Sequence, residues 1–443
     1  MESGIIELVR ECGVVGAGGA GFPTHVKLAG EAEYIIVNAA ECEPLLRVDQ
    51  QLLVEYTDEI LSALVAVVGV LRAQKGIVAI KGKHKAAVTC LESALPRFNG
   101  VEVFQLEDFY PAGDEQVTVY EVLKRIVPEG GIPIHVQVVV LNVETLLNIN
   151  NAIKNVPVTE KYLTVTGAVN QPVTVKVPIG ISAMEAVGLA GGPAVREFAM
   201  IEGGPMMGKL IYHESAVVTK TTKGYIVLPS DHRLIESKGK PMERMLRDAR
   251  IACCHCSLCS EVCPRNLLGH RLRPDRLMRM ASYTRGFETD PSMDEALICS
   301  ECGLCERACI MGLQPWKLNN YLKGRLGAAG IRRTDNRMPE RASQFREFKK
   351  FPVKKLVGQL ALSQYDVDAP LKEDGAERFT RLRIALRQHI GAPAQPVVSV
   401  GDMIERNELI GDIPDGKLGV KIHSGIAGKV TSIDENFIEI MRS

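Results

Sequence analysis

Eight of the twelve cysteines fall in two tight runs between Cys253 and Cys309. The first is Cys253-x2-Cys256-x2-Cys259-x3-Cys263-Pro264, and the second is Cys299-x2-Cys302-x2-Cys305-x3-Cys309. Only Cys12, Cys42, Cys90 and Cys254 lie outside this pattern. A disulfide framework spreads its cysteines through a short secreted chain, whereas these are concentrated in a small part of a long one, as metal ligands are. An iron–sulfur cubane offers four iron corners. A loop with cysteines three apart can wrap three of them, and the fourth needs a thiolate from elsewhere. Structural zinc is the alternative, but a zinc site pairs two C-x2-C knuckles and has no use for three cysteines in one loop. Cys254, beside a ligand, reads as packed.

Both runs have the spacing of two-cluster bacterial ferredoxins, in which the fourth cysteine of each run serves the other cluster. That resemblance assigns Cys253, Cys256, Cys259 and Cys309 to one [4Fe–4S] cluster, and Cys299, Cys302, Cys305 and Cys263 to the other. Ile310 stands where the first run has Pro264, which leaves the ligand count unchanged. Two adjacent clusters form a short wire for single electrons. Arg265, His270, Arg271, Arg273, Arg276 and Arg279 lie between the runs. They could raise cluster potentials; a solvated helix face is the simpler reading.

A second chemical signal is Gly16-Ala17-Gly18-Gly19-Ala20-Gly21-Phe22-Pro23-Thr24, formally G-x-G-x-x-G. A Rossmann fingerprint needs a preceding strand, but Ile5 to Arg10 reads as a helix turn. The chemistry of such a loop is general: backbone without Cβ atoms can approach a phosphate, and its N–H groups bind it. Lys27 can add a charge-assisted contact.

The elements that must hold these groups follow from periodicity. Through residue 155, strand candidates at Tyr34–Val37, Gly76–Ile80, Val101–Phe104 and Gln137–Leu141 alternate with a helical pattern over Asp58–Leu71, which predicts an α/β layer with function in its loops. Tyr162–Thr166 and Val173–Val177 flank a turn-rich segment, and Ser182 is placed to cap a helix over 183–189 that Gly191-Gly192 stops. Residues 317–355 hold twelve Lys or Arg against Asp335, Glu340 and Glu347, a solvated basic face. In the last forty or so residues, Val397–Val400, Met403-Ile404 and the segment from Gly425 onward predict an all-β end. The expected organisation is an α/β domain over 1–155, a small β-plus-helix module over 156–235, a small helical ferredoxin-like domain over 240–325, a basic linker over 326–390 and an all-β domain over 391–443.

Composition excludes other classes. The 443 residues carry 53 Lys and Arg against 53 Asp and Glu, with aromatics at 5% and a single Trp. Neither a nucleic-acid partner nor a base-stacking surface is expected. The most apolar runs, such as Leu61–Leu71, are shorter than the roughly 18 residues of a membrane span. Met1-Glu2-Ser3-Gly4 lacks the basic region of a secretory signal, so a cytoplasmic multidomain protein is expected.

The run Gly18 to Lys27 resembles the flavin loop of the NADH-oxidising flavoprotein subunit of respiratory complex I. It is more similar still to the family of propanediol-utilisation cobalamin reductases and Rnf-complex C subunits. Asn38-Ala39-Ala40-Glu41-Cys42-Glu43-Pro44, Tyr110 to Glu115 and Leu141 to Thr145 carry the same resemblance, residues 159–193 look like a soluble-ligand-binding β-grasp (SLBB) domain, and the carboxy-terminal segment resembles a biotinyl/lipoyl-like domain. Ala40 and Leu141 depart from the complex I pattern, which has an acid and an Asn there. The resemblance implies an NADH-dependent oxidoreductase in which the domain over 1–155 binds flavin, the module over 156–235 is a β-grasp and the domain over 391–443 is a β barrel-sandwich. FMN would be held by Gly16, Gly18, Gly19, Gly21, Lys27, Asn38, Glu41, Glu43, Asn142 and Thr145, with Asp114 and Glu115 on the nicotinamide side. Electrons from NADH would pass through FMN and two [4Fe–4S] clusters to cobalamin or another redox acceptor. An adenosyltransferase and microcompartment proteins are the implied partners, in the cytoplasm or inside a bacterial microcompartment. A barrel-sandwich domain placed last favours the microcompartment type. A generic electron-transfer subunit and a zinc-stapled ligand-binding scaffold are the alternatives. His25, His255 and His423 read as turn or hydrogen-bonded surface groups, and Lys421 as structural.

Overall fold

The computed structural model describes residues 2–211, 216–333, 336–373 and 378–442; Asp335 of the basic run lies outside them. The amino-terminal unit comprises α1 (Glu2–Glu11), α2 (Thr24–Lys27), β1 (Tyr34–Ala39), α3 (Val48–Glu55), α4 (Thr57–Val70), β2 (Lys75–Lys81), α5 (Lys85–Ala94), β3 (Val101–Leu106), β4 (Phe109–Tyr110), α6 (Glu115–Leu123), β5 (Val138–Asn142) and α7 (Val143–Ile153). The helix predicted before the glycine loop is α1. A parallel sheet in the order β3-β2-β1-β5 forms the centre. Ile35 and Val37 pack into one apolar core with Leu61, Leu64 and Leu146, whereas Ile36 packs into another with Leu106, Val117 and Val119. Burial on both faces is why these strands read as unbroken apolar runs. The chain steps from β1 out to β3, then returns to pair β5 with the other edge of β1. The order therefore reverses between β1 and β5, with Asn38 opposite Asn142 at their carboxyl ends.

The second unit holds β6 (Glu160–Gly167), β7 (Val173–Pro178), α8 (Ala183–Leu189), β8 (Phe198–Glu202), β9 (Lys209–Ile211) and β10 (Gly224–Pro229). Ser182 caps α8 in a reciprocal box with Glu185, as the Ser-x-x-Glu spacing dictates. A helical module follows: α9 (Arg233–Gly239), α10 (Met242–Ala252), α11 (Leu258–Glu261), α12 (Pro264–Leu267), α13 (Pro274–Tyr283), α14 (Leu304–Ala308) and α15 (Pro315–Ala328). Beyond it come β11 (Phe351–Pro352), α16 (Val353–Gln359) and β12 (Leu371–Glu373), then β13 (Arg381–Ala385), β14 (Gln395–Pro396), β15 (Met403–Ile404), β16 (Leu409–Asp412), β17 (Ile422–His423), β18 (Gly428–Ile433) and β19 (Phe437–Met441).

Several of these later elements tie the units together. β11 pairs with β4, β12 extends the second sheet beside β7, and β13 pairs with β19. The stretch read as a basic linker thus supplies strands to three sheets. The β-grasp and carboxy-terminal units share one core, in which Leu163, Val175 and Tyr225 meet Leu382, Ile410 and Ile440. Val397–Val400, expected as a strand, is irregular: the Asp402 carboxylate accepts the Ser399 N–H at 2.8 Å, closing a turn there.

Candidate functional site

In open parallel sheets, ligands bind beyond the carboxyl ends of the strands where strand order reverses. The structure brings the glycine loop to that point. The Ala17 N–H donates to Thr145 Oγ1 at 3.0 Å, and a Cβ on Gly18 would stand 2.8 Å from the Asn142 amide. Gly18, Gly19 and Ala20 are exposed, and a Cβ at Gly19 would meet nothing within 4 Å. This open backbone is a cradle that a phosphate can approach, which fits the flavin expectation. Gly21 (φ +74°) is held differently, against Thr221 and His389 of the later units.

Other predicted residues surround the cradle in distinct roles. Lys27 reaches Glu115 (3.2 Å) and the Val140 carbonyl (3.1 Å). Asn38 donates to the Gly113 carbonyl at 2.7 Å, and Asn142 caps α7 while donating to Asp49 at 3.0 Å. Glu41 and Glu43 are engaged within the protein. Glu41 accepts the Asp49 N–H (2.8 Å) at the start of α3, and Glu43 accepts the Met206 and Met207 N–H groups (2.9 and 3.0 Å) from the β-grasp unit. Burial raises both carboxyls above their usual range. Asp114 caps α6 and binds Arg265 through two bonds of 2.6 and 2.9 Å.

Beneath the cradle lies a buried ionic layer that sequence reasoning missed. Lys161 pairs with Glu144, and Lys223 pairs with Asp49 and lies 3.7 Å from Glu144. Burial brings Lys161 down to about 8; Lys223 is burdened by burial too, yet Asp49 and Glu144 hold it above its usual value. Glu144 belongs to the Leu141–Thr145 motif, but a lysine in a β-branched run carries no sign that it is buried.

The eight run cysteines gather in two pockets. Cys263, Cys299, Cys302 and Cys305 line an inner one with Pro264, Trp316 and Asn319. Cys253, Cys256, Cys259 and Cys309 line an outer one with Cys254, His255 and Met311. Each three-cysteine loop is wound alike: His255 and Ser257 in the first, and Glu301 and Gly303 in the second, have positive φ at the same offsets. Left-handed residues alternating with right-handed ones curl a backbone into a concave nest. The Glu301 N–H points at Cys299 Sγ (3.3 Å) and the Leu313 N–H at Cys309 Sγ (3.4 Å).

All eight thiols are free. Among the described residues, no three His, Cys, Asp or Glu side chains converge on a single-ion site; the thiols ring a space instead. Burial pushes Cys259 and Cys263 up to about 12. Thiols so reluctant to ionise alone suit a cationic centre that stabilises their thiolates. Both amide atoms of Asn319, fully buried on the inner wall, lack a hydrogen-bond partner within the described residues. The donor sets fit a polynuclear iron–sulfur group.

The inner pocket abuts the amino-terminal unit. The Tyr110 hydroxyl donates to the Cys302 carbonyl at 2.6 Å, and Tyr110, Leu45, Met206, Cys302 and Leu304 share one core. Arg265 and His270, expected on a solvated face, are instead buried, because Asp114 and the Val127 carbonyl (2.9 Å) draw them inward. Arg271, Arg273, Arg276 and Arg279 pair with Glu129, Asp275 and Glu295. In the basic run, Arg346 pairs with buried Glu121, and Arg333 and Arg337 with buried Glu129. Cys254 is exposed rather than packed. His423 is half-buried and its buried Nδ1 has no hydrogen-bond partner among the described residues, whereas Lys421 is engaged by Glu11.

Comparison with known proteins defines the class first. The Nuo51 FMN-binding domain matches residues 9–151, the SLBB domain 162–210, the 4Fe-4S dicluster domain 252–314 and the RnfC barrel sandwich hybrid domain 372–442. This is a multidomain α/β flavin and iron–sulfur oxidoreductase. The chain is 42% identical to Cobalamin reductase PduS of Citrobacter freundii and to that of Salmonella typhimurium, covering 99% of this chain and 96% of each relative. It belongs to the cobalamin reductase PduS family. It is also 32% identical, over 59% of its length and 58% of the relative's, to the C subunit of the Na(+)-translocating ferredoxin:NAD(+) oxidoreductase complex of Acetobacterium woodii. An NAD+-reducing [NiFe]-hydrogenase in the H2-reduced state shares the fold, with a TM-score of 0.50 and 19% identity over 76% of this chain and 64% of that one. No helix among the described residues is long and apolar enough to cross a membrane.

Proposed function

We propose that this chain draws electrons from NADH and delivers them singly to cobalamin, so that an adenosyltransferase can remake the coenzyme inside a bacterial microcompartment. The observation that carries the reading is that the unit holding an open glycine cradle at its sheet's switch point is bonded through Tyr110 to the inner of two four-thiol pockets. When bound, FMN supplies the exchange between two-electron and one-electron chemistry, and [4Fe–4S] clusters supply single-electron storage.

The chain's own residues position these groups. Gly18 and Gly19 leave the backbone open to the phosphate, Gly16 and Gly21 hold the turn on either side, and Thr145 fixes the loop. Lys27 adds positive charge, and Asn38 and Asn142 line the switch point. Glu41 and Glu43 anchor the loop after β1, and Asp114 and Glu115 border the nicotinamide side. Cys253, Cys256, Cys259 and Cys309 ligate the outer cluster, and Cys263, Cys299, Cys302 and Cys305 the inner one. Likeness to the Rnf protein supports a second reading, an electron-transfer subunit that feeds another redox enzyme or a membrane complex.

Anaerobic iron, sulfide and FMN analysis, followed by NADH-driven bleaching with and without cob(III)alamin, tests the proposal. Flavin that bleaches and then recovers only when cob(III)alamin is added supports it; a zinc-loaded, iron-free protein sinks it. Two variants test the cradle. Gly18→Ala forces Asn142 aside and lowers the stability of the apoprotein, whereas Gly19→Ala leaves that stability unchanged and weakens FMN binding, read by fluorescence titration.

A further inference from the structure

The outer pocket opens onto an unusual surface. Ile251 (81% exposed) precedes Cys253, and Ile310 (71%) and Met311 follow Cys309. The His255 ring stacks on exposed Tyr283 with centroids 6.3 Å apart and planes 22° apart. Residues 242–287 carry nine arginines and no lysine against four acids, in a chain whose overall charge is zero. Of these arginines, Arg244, Arg247 and Arg250 on α10 and Arg285 beyond α13 are exposed and have no ion-pair partner among the described residues. Nearby Asp248 is taken by Lys240, which leaves Glu243 as the other acid on α10.

Resting on the proposed electron-transfer reading, we infer that electrons leave through this apolar, arginine-rimmed face, and that its occupant is a redox protein with an acidic rim. An apolar centre excludes water over a short transfer distance, while unpaired cations steer an anionic partner. One electron passes per encounter: the donor loses it, the partner gains it, and no bond forms or breaks.

The test uses the reduced holoprotein with acidic cytochrome b5, basic cytochrome c and free hydroxocobalamin as acceptors. The wild-type rate to cytochrome b5 falls as salt rises. R247E/R250E/R285E lowers that rate about tenfold at low salt, raises the rate to cytochrome c and leaves hydroxocobalamin reduction unchanged. Hydrogen exchange over residues 247–257 and 309–312 slows when zinc-substituted cytochrome b5 is added. Rates and exchange indifferent to charge reversal overturn the inference, as does equal slowing with all three acceptors. If the triple variant loses iron, R247Q/R250Q/R285Q serves, with a smaller drop of the same pattern. A protein that ignores hydroxocobalamin yet shows the charge effect refutes only the cobalamin reading.

A separate observation concerns Asn319, whose side-chain amide atoms are buried on the inner wall without a hydrogen-bond partner among the described residues. The geometry points to Asn319 as a positioning residue whose N–H faces the inner cluster. A donor aimed at a cluster stabilises its reduced, more negative form. EPR-monitored titration of Asn319→Leu and of isosteric Asn319→Asp is expected to lower the inner midpoint potential and leave the outer one fixed. Unchanged midpoints, or equal shifts of both, overturn the assignment.

Discussion

The two cysteine pockets are built from the same local code and set in opposite surroundings. Both loops place left-handed residues two and four positions after their first cysteine, so the backbone wraps alike. Yet Cys302, Cys305 and Cys263 are buried while Cys256 is exposed. The inner pocket is walled by Trp316, Asn319 and a core shared with Tyr110 and Met206, whereas the outer one meets solvent beside Ile310 and Tyr283. Local sequence sets how a loop closes round a centre, and packing decides whether that centre faces its own protein or another molecule. On the proposed reading, the inner pocket would receive electrons and the outer would release them.

Exchange of one cysteine in each pocket should separate them most widely. Cys302→Ser is expected to halve the iron content and also destabilise the junction, while Cys256→Ser halves the iron with little change in melting temperature; equal losses of stability would erase the distinction. Removing the buried cation beside the inner pocket comes next. Arg265→Ala leaves the largely buried Asp114 carboxylate without its counter-ion, at a cost of about 3 kcal/mol in urea unfolding. A smaller effect follows from Tyr110→Phe, which deletes the bond to the Cys302 carbonyl at about 1 kcal/mol and alters the inner EPR signal alone.

The gentlest test is pH. Burial, followed by the nearby Arg265 charge, lowers His270 from 6.5 to about 4 in the folded protein. Between those values the unfolded chain binds a proton that the folded one refuses. Stability at this contact is therefore full above pH 6.5 and is lost as pH falls toward 4. His270→Gln should flatten that slope in thermal melts.

Much of the site was legible because it depends on short-range rules. The x2, x2, x3 spacing of Cys253–Cys263 and Cys299–Cys309 fixes a three-thiolate loop, the Ser182–Glu185 pair fixes a helix start, and the apolar runs around Ile36 and Val140 fix buried parallel strands. What failed depended on distant partners. Arg265 and His270 looked solvated because nothing near them in the chain reveals Asp114 or the Val127 carbonyl. Segment 326–390 looked like a linker because its strands find their partners in β4, β7 and β19.

The sequence alone determined which atoms could ligate iron, where a phosphate could approach bare backbone and which residues would form each local element, since all of these follow from residue type and spacing of a few positions. Only the tertiary structure decided that β1 and β5 reverse the sheet order beneath the glycine loop, that a lysine in a β-strand is buried against Glu144, and that one pocket lies inward and the other outward. Those outcomes arise from burial and charge pairing between segments that local rules do not span: Asn38 of β1 meets Asn142 of β5 across about a hundred residues, and Lys161 meets Glu144 from the next structural unit.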